Sequence, residues 1–177
     1  MIEGVREAGS KIIKSVSDLD KSQIEALIKY TGDDYVNINN SLRGFETLSA
    51  DNAEAVDIMK STLSNASLPE DMILYRGTSI EELGSLKNLP PDELIGKTFT
   101  QPSFLSTSTE NSVATGTFSG NMQIEIEASQ GAHGLDVSSI SEYGSDEAEV
   151  LFNAGQKMFI TDAETKGGIL YIKAIIK

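Results

Sequence analysis

The chain predicts an α+β domain, with helices first and strands after them rather than the strand–helix alternation that builds a parallel sheet. Three observations carry this. Apolar residues recur at helical spacing in the first third of the chain. From residue 72 onward, short runs alternate apolar and polar at period two, separated by Gly, Pro, Ser and Asn. No internal repeat or long linker separates the two textures, so one domain over 1–177 is expected, helical over 1–70 and mainly β over 71–177.

In order along the chain, "DKSQIEALIKY" places Ile24, Leu27 and Ile28 on one helical face. "DNAEAVDIMKSTL" does the same with Ala55, Val56, Met59 and Leu63, and Asp51 followed by Glu54 reads as a capping box at its start. Six strands are predicted: "MILYRG", "SFLSTS", "MQIEIEA", "AEVLFN", "KMFITDA" and "ILYIKAII". In "MQIEIEA" the alternation is clear, with Met122, Ile124 and Ile126 on one face and Gln123, Glu125 and Glu127 on the other. "GSLKNLPPDELIGKTF" reads as the longest irregular connection.

Composition removes several function classes. Hydrophobic residues make up 39% and charged ones 23%, and no apolar run approaches the roughly 20 residues that cross a bilayer, so a soluble protein with no membrane partner is expected. "MIEGVREAGSKIIK" lacks the uninterrupted apolar region of a secretory signal, so the chain is expected to stay where it is made or to be delivered by other means. The absence of cysteine excludes disulfides, thiol nucleophiles and thiolate metal sites. His133, the sole histidine, lies between glycines in "QGAHGL" and reads as a solvated turn residue, so neither a histidine metal cluster nor serine–histidine catalysis is expected. A net charge of −13 argues against nucleic acid and for a protein or small-molecule partner.

The chemistry gathers in three short segments. If "EAEVLF" is a strand, Ala148, Val150 and Phe152 share one face and Glu147 and Glu149 the other. On a solvated edge two carboxylates about 7 Å apart repel only weakly, so the pair alone would be an ordinary exposed face. "LYRG" sets Arg76 opposite Tyr75 at a strand end, followed by Gly77, which lets a ligand approach the backbone. "FLSTST" sets Ser106 and Ser108 on one face and Thr107 on the other.

The order Arg, Ser-Thr-Ser, Glu-x-Glu resembles the arginine-serine-glutamate class of mono-ADP-ribosyltransferase toxins, the enzymatic components of binary toxins and the Rho-modifying exoenzymes. "KYTGDDYVNINNSLRG" resembles the family's helical segment over the NAD site, with Tyr30, Tyr35 and Asn39. "TGTFSG" resembles its phosphate-nicotinamide loop, with Phe118 at the aromatic position. "SSISEYGSDEAE" resembles the turn-turn loop before the catalytic strand, with Tyr143 as the residue that touches the target. Where many relatives carry an arginine shortly after the loop phenylalanine, this chain has "FSGN" with Asn121, which shifts phosphate binding toward Arg76 and Arg43.

The resemblance implies two packed β-sheets forming an NAD cleft flanked by N-terminal helices. It also implies transfer of ADP-ribose from NAD to an arginine of a target protein, actin-like in some relatives, by a monomer that is secreted or delivered into a target cell. NAD is then a substrate, and no metal is needed. Glu149 would stabilise the oxocarbenium-like transition state, Ser106 would hold Glu149, and Glu147 would orient and deprotonate the acceptor guanidinium. Arg76, with Gly77, Thr107, Ser108, Phe118, Tyr30, Tyr35, Asn39 and Asn121, would surround NAD. Two alternatives keep the fold: an NAD glycohydrolase, in which water is the acceptor, and a non-catalytic acidic interaction module.

Overall fold

A computed structural model describes residues 12–111, 120–140 and 148–177. Helix α1, Lys21–Lys29, is closed at its start by Asp20, which accepts from the Gln23 amide while the Gln23 side chain accepts from the Asp20 amide. The chain then widens into a π-helical turn over Tyr30–Asp34, with Gly32 outside the helical region (φ −84°, ψ −135°), before α2, Tyr35–Leu42. Helix α3, Ala50–Ser64, starts two residues earlier than the sequence predicts, because Ser49 and not Asp51 caps it, accepting from the Asn52 amide at 3.2 Å.

The β part contains the six predicted strands and two more. In chain order they are β1 Met72–Thr78, β2 Thr98–Gln101, β3 Leu105–Ser108, β4 Met122–Ala128, β5 Gly134–Asp136, β6 Glu149–Phe152, β7 Gln156–Lys166 and β8 Ile169–Ile176. The stretch read as irregular, 84–99, carries the end of a 3-10 segment that runs over Ile80–Asn88, a short helix α4, Pro91–Leu94, and the start of strand β2.

Two separate sheets are expected from the resemblance, whereas the strands form one eight-stranded ladder in the order β2-β7-β8-β4-β1-β3-β6-β5. The link between its halves is slight. β1 pairs with β4 along its whole length, but with β3 only at Tyr75↔Ser108, so the ladder can turn sharply there without losing many hydrogen bonds. The three strands beyond the joint fold over the other five, and their apolar faces meet: Leu105, Val150 and Phe152 share a core with Leu74, Ile126 and Ile172. A second core lies on the outer side of the short segment, where Leu135 and Leu151 meet Leu27, Ile38 and Met59 of the helices. β6 is therefore buried on both faces, Val150 and Phe152 inward and Leu151 toward the helices. That placement decides where its first residue, Glu149, can point.

Candidate active site

Strand alternation puts Glu149 on the same face as Leu151, the helix side of β6. In the antiparallel register Ser108 lies directly opposite Glu149 and Ser106 opposite Leu151, so Ser106 is the diagonal neighbour of Glu149. Ser106 Oγ donates to Glu149 Oε2 at 2.7 Å. A carboxylate only 6% exposed is costly without such donors. The strand begins at Glu149 and not earlier, because Ala148 has φ 45°, a left-handed conformation that costs a non-glycine residue about 1 kcal/mol or more. The expected alternation through "EAEVLF" therefore stops at Glu149, and the face of Glu147 does not follow from it.

Arg76 projects from β1 on the same face as Leu74, into the space between the two sheet segments. Its Nη1 donates to the Ser106 carbonyl at 2.7 Å. Nε donates to Glu82 Oε2 at 3.2 Å and Nη2 pairs with Glu82 Oε1, a two-pronged contact between largely buried side chains. Burial works to raise the Glu82 carboxyl, but the Arg76 charge and hydrogen bond, with a hydrogen bond from Thr78, hold it below its ordinary value. The sequence reading does not single out Glu82. Its signal is faint, one of two adjacent glutamates in "SIEEL" six residues after Arg76, and only the fold shows which of them turns inward.

The two tyrosines occupy different environments. Tyr30 is buried at 3% exposure, edge-on to Phe104 at 5.4 Å, and its hydroxyl accepts from Asn39 Nδ2 at 2.9 Å. Burial raises its pKa well above the ordinary phenol value; Asn39 works against this, the Glu149 charge adds to it, and Arg76 and Arg43 oppose it. Tyr35 is 45% exposed. Asn39 is itself buried, and its Oδ1 has no hydrogen-bond partner among the described residues.

Thr107 faces away from Ser106, and its hydroxyl donates to the Val150 carbonyl, locking β3 to β6. Ser108 accepts from the Glu110 amide at 2.9 Å. Gly77 lies buried in β1 opposite Gln123. Asn121 Oδ1 accepts from the Ile80 amide at 2.8 Å, so its carboxamide anchors the segment that carries Glu82. Beside it, a Cβ on Gly120 would sit 2.2 Å from the Thr78 carbonyl oxygen, a contact only glycine permits. Phe118, Tyr143 and Glu147 lie outside the described residues. Among the described residues no group of His, Cys, Asp or Glu could hold a metal ion, and no helix is long and apolar enough to cross a membrane.

Comparisons with known proteins show the family and the fold. The family model for ADP-ribosyltransferase exoenzymes matches residues 6–173. Mav of Mycobacterium avium (strain 104), a protein named for NAD(+)–arginine ADP-ribosyltransferase activity, is 34% identical over an alignment of 159 residues that covers 87% of this chain and 18% of Mav. The chain thus spans about a fifth of that relative's length. Among solved structures, an ADP-ribosyltransferase from Clostridium botulinum superposes with a TM-score of 0.74 at 23% identity, covering 89% of this chain and 87% of the clostridial one. The C3 exoenzyme of Clostridium limosum gives 0.74 at 22% identity, covering 94% of this chain and 97% of that exoenzyme. An S. aureus protein solved with NAD gives 0.75 at 18% identity, covering 100% of this chain and 95% of its own.

Proposed function

As the chain belongs to the ADP-ribosyltransferase exoenzyme family, we propose that it transfers ADP-ribose from NAD to an arginine side chain of a target protein and releases nicotinamide. The observation that carries the reading is the clamp of Ser106 on a nearly buried Glu149. Breaking the bond between ribose C1′ and the nicotinamide nitrogen sends the electron pair out with nicotinamide and leaves an oxocarbenium-like ribosyl cation. Glu149 places fixed negative charge where that cation develops and accepts a hydrogen bond from the adjacent ribose hydroxyl. Ser106 occupies one lone pair of Oε2 and restricts the carboxylate to one orientation, so little reorganisation is needed as charge builds.

The acceptor guanidine nitrogen then bonds to C1′ and loses a proton. Glu147 is assigned to that step, orienting the guanidinium and drawing off the proton. Arg76 acts mainly from behind, through Ser106, and meets phosphate with those N–H groups that Glu82 and Ser106 do not engage. Exposed Tyr35 can cover the bound nucleotide. Asn121 supports the loop rather than the phosphate. The name of Mav, 34% identical, supports arginine as acceptor. Incubation with labelled NAD and a cell lysate, followed by mass spectrometry of the labelled protein, tests the reading: ADP-ribose on arginine is expected. Free ADP-ribose as the only product would instead make the chain an NAD glycohydrolase.

A further inference from the structure

Resting on that reaction, we infer that Glu82 is a positioning residue for it, fixing the Arg76 guanidinium so that Arg76 holds Ser106, and through it Glu149, in the reactive arrangement. Glu82 comes from the segment Ile80–Asn88, outside the three motifs that carry the resemblance. Its side chain is only 10% exposed, and that of Arg76 14%. A buried ion pair is weak evidence of stabilisation, because well-packed apolar side chains would often serve as well. What an apolar pair cannot do is orient a guanidinium. Both Glu82 oxygens are engaged, one by Nε and one by Nη2, which fixes the plane of the group and leaves Nη1 aimed at the Ser106 carbonyl.

The place of that last contact gives it its effect. β1 and β3 share a single register pair, Tyr75↔Ser108, at the bend between the two sheet segments. The hydrogen bond from Arg76 to Ser106 is a second tie across the same joint, and it acts on the residue whose hydroxyl clamps Glu149. The segment bearing Glu82 is itself anchored, since Asn121 accepts from the Ile80 amide and Ser79 Oγ from the Glu81 amide. The line of support thus runs from the loop before β4 through Glu82, Arg76 and Ser106 to Glu149. Small misplacements of a reacting group can cost about 10²-fold in rate, so a change at Glu82, which has no assigned contact with NAD, reaches the chemistry through this line.

The test is steady-state nicotinamide release from NAD by the whole chain, with thermal unfolding of each variant as the folding control. Glu82→Gln keeps the volume but turns an amide N–H toward the guanidinium, breaking the two-pronged contact. A fall in kcat of about 10-fold or more is expected, with KM shifted by less than about 3-fold. Glu82→Asp keeps the charge on a shorter stem and should give an intermediate kcat. Because Glu82 acts through Ser106, Glu82→Gln combined with Ser106→Ala should be little slower than Ser106→Ala alone. Independent losses that multiply, or an unchanged kcat in folded Glu82→Gln, overturn the inference. If Glu82→Gln does not fold, an unchanged kcat in Glu82→Asp overturns it. A wild-type chain that neither releases nicotinamide nor labels protein overturns the proposed function and this inference with it; an active wild type with unaffected Glu82 variants overturns this inference alone.

Discussion

Ser106 and Glu149 meet at a diagonal position between two strands, so the hydroxyl can be removed without unpairing the backbone. Ser106→Ala should lower kcat for nicotinamide release by about 10- to 10²-fold, as for loss of one preorganised donor, and, because it takes a donor from a nearly buried carboxylate, should cost about 1–3 kcal/mol of stability. For Tyr30 the readout is stability. Its hydroxyl satisfies Asn39 Nδ2 inside the helix-side core, so Tyr30→Phe strands a buried donor and should cost about 1–3 kcal/mol of stability, read by urea unfolding. Glu82 adds a pH dependence. Its folded pKa lies below the ordinary value of 4.5, so its contribution to stability is present above about pH 4.5 and is lost as pH falls through the lowered folded value. The stability gap between wild type and Glu82→Gln is therefore expected to be widest at neutral pH and to narrow in acid, as urea titrations at pH 7 and pH 3 would report.

At the scale of elements, the loop that enters β4 is held by a glycine in contact with backbone. Gly120→Ala would drive a methyl group into the Thr78 carbonyl, which cannot move without disturbing the end of β1. A loss of about 1–3 kcal/mol by chemical denaturation is expected, a range typical of overpacking. What the sequence discloses about elements follows how far each relies on its own pattern. β4 and β8 alternate along their length, and α3 repeats its apolar positions over several turns, so these are legible. β2 and β5 are four and three residues long, too short for a period to show, and exist because β7 and β6 offer them an edge. The sequence misplaces the α3 cap because Asp51 and Glu54 have the right spacing, whereas Ser49 alone has the extended backbone (φ −68°, ψ 155°) that aims its hydroxyl at the helix start. The Ser106–Glu149 contact is legible from two motifs on two strands, but Glu82 is not, since nothing in "SIEEL" says that a 3-10 segment folds back onto Arg76.

Over the whole molecule, a five-stranded and a three-stranded segment are held at one joint, and the residues assigned to NAD cleavage gather around it. The two steps of the reaction are then separable. Glu147→Gln should abolish labelling of target arginines while preserving much of the NAD hydrolysis, because water needs less help than a protonated guanidinium. Equal loss of both activities would contradict that division. The central claim is that the charge of Glu149 drives cleavage of NAD, and the most direct measurement is nicotinamide release by Glu149→Gln beside wild type, with thermal unfolding to confirm the fold. The amide keeps the shape and removes the charge, so release should fall by about 10²-fold or more at an unchanged melting temperature. Near-normal release by a folded Glu149→Gln variant would contradict the account.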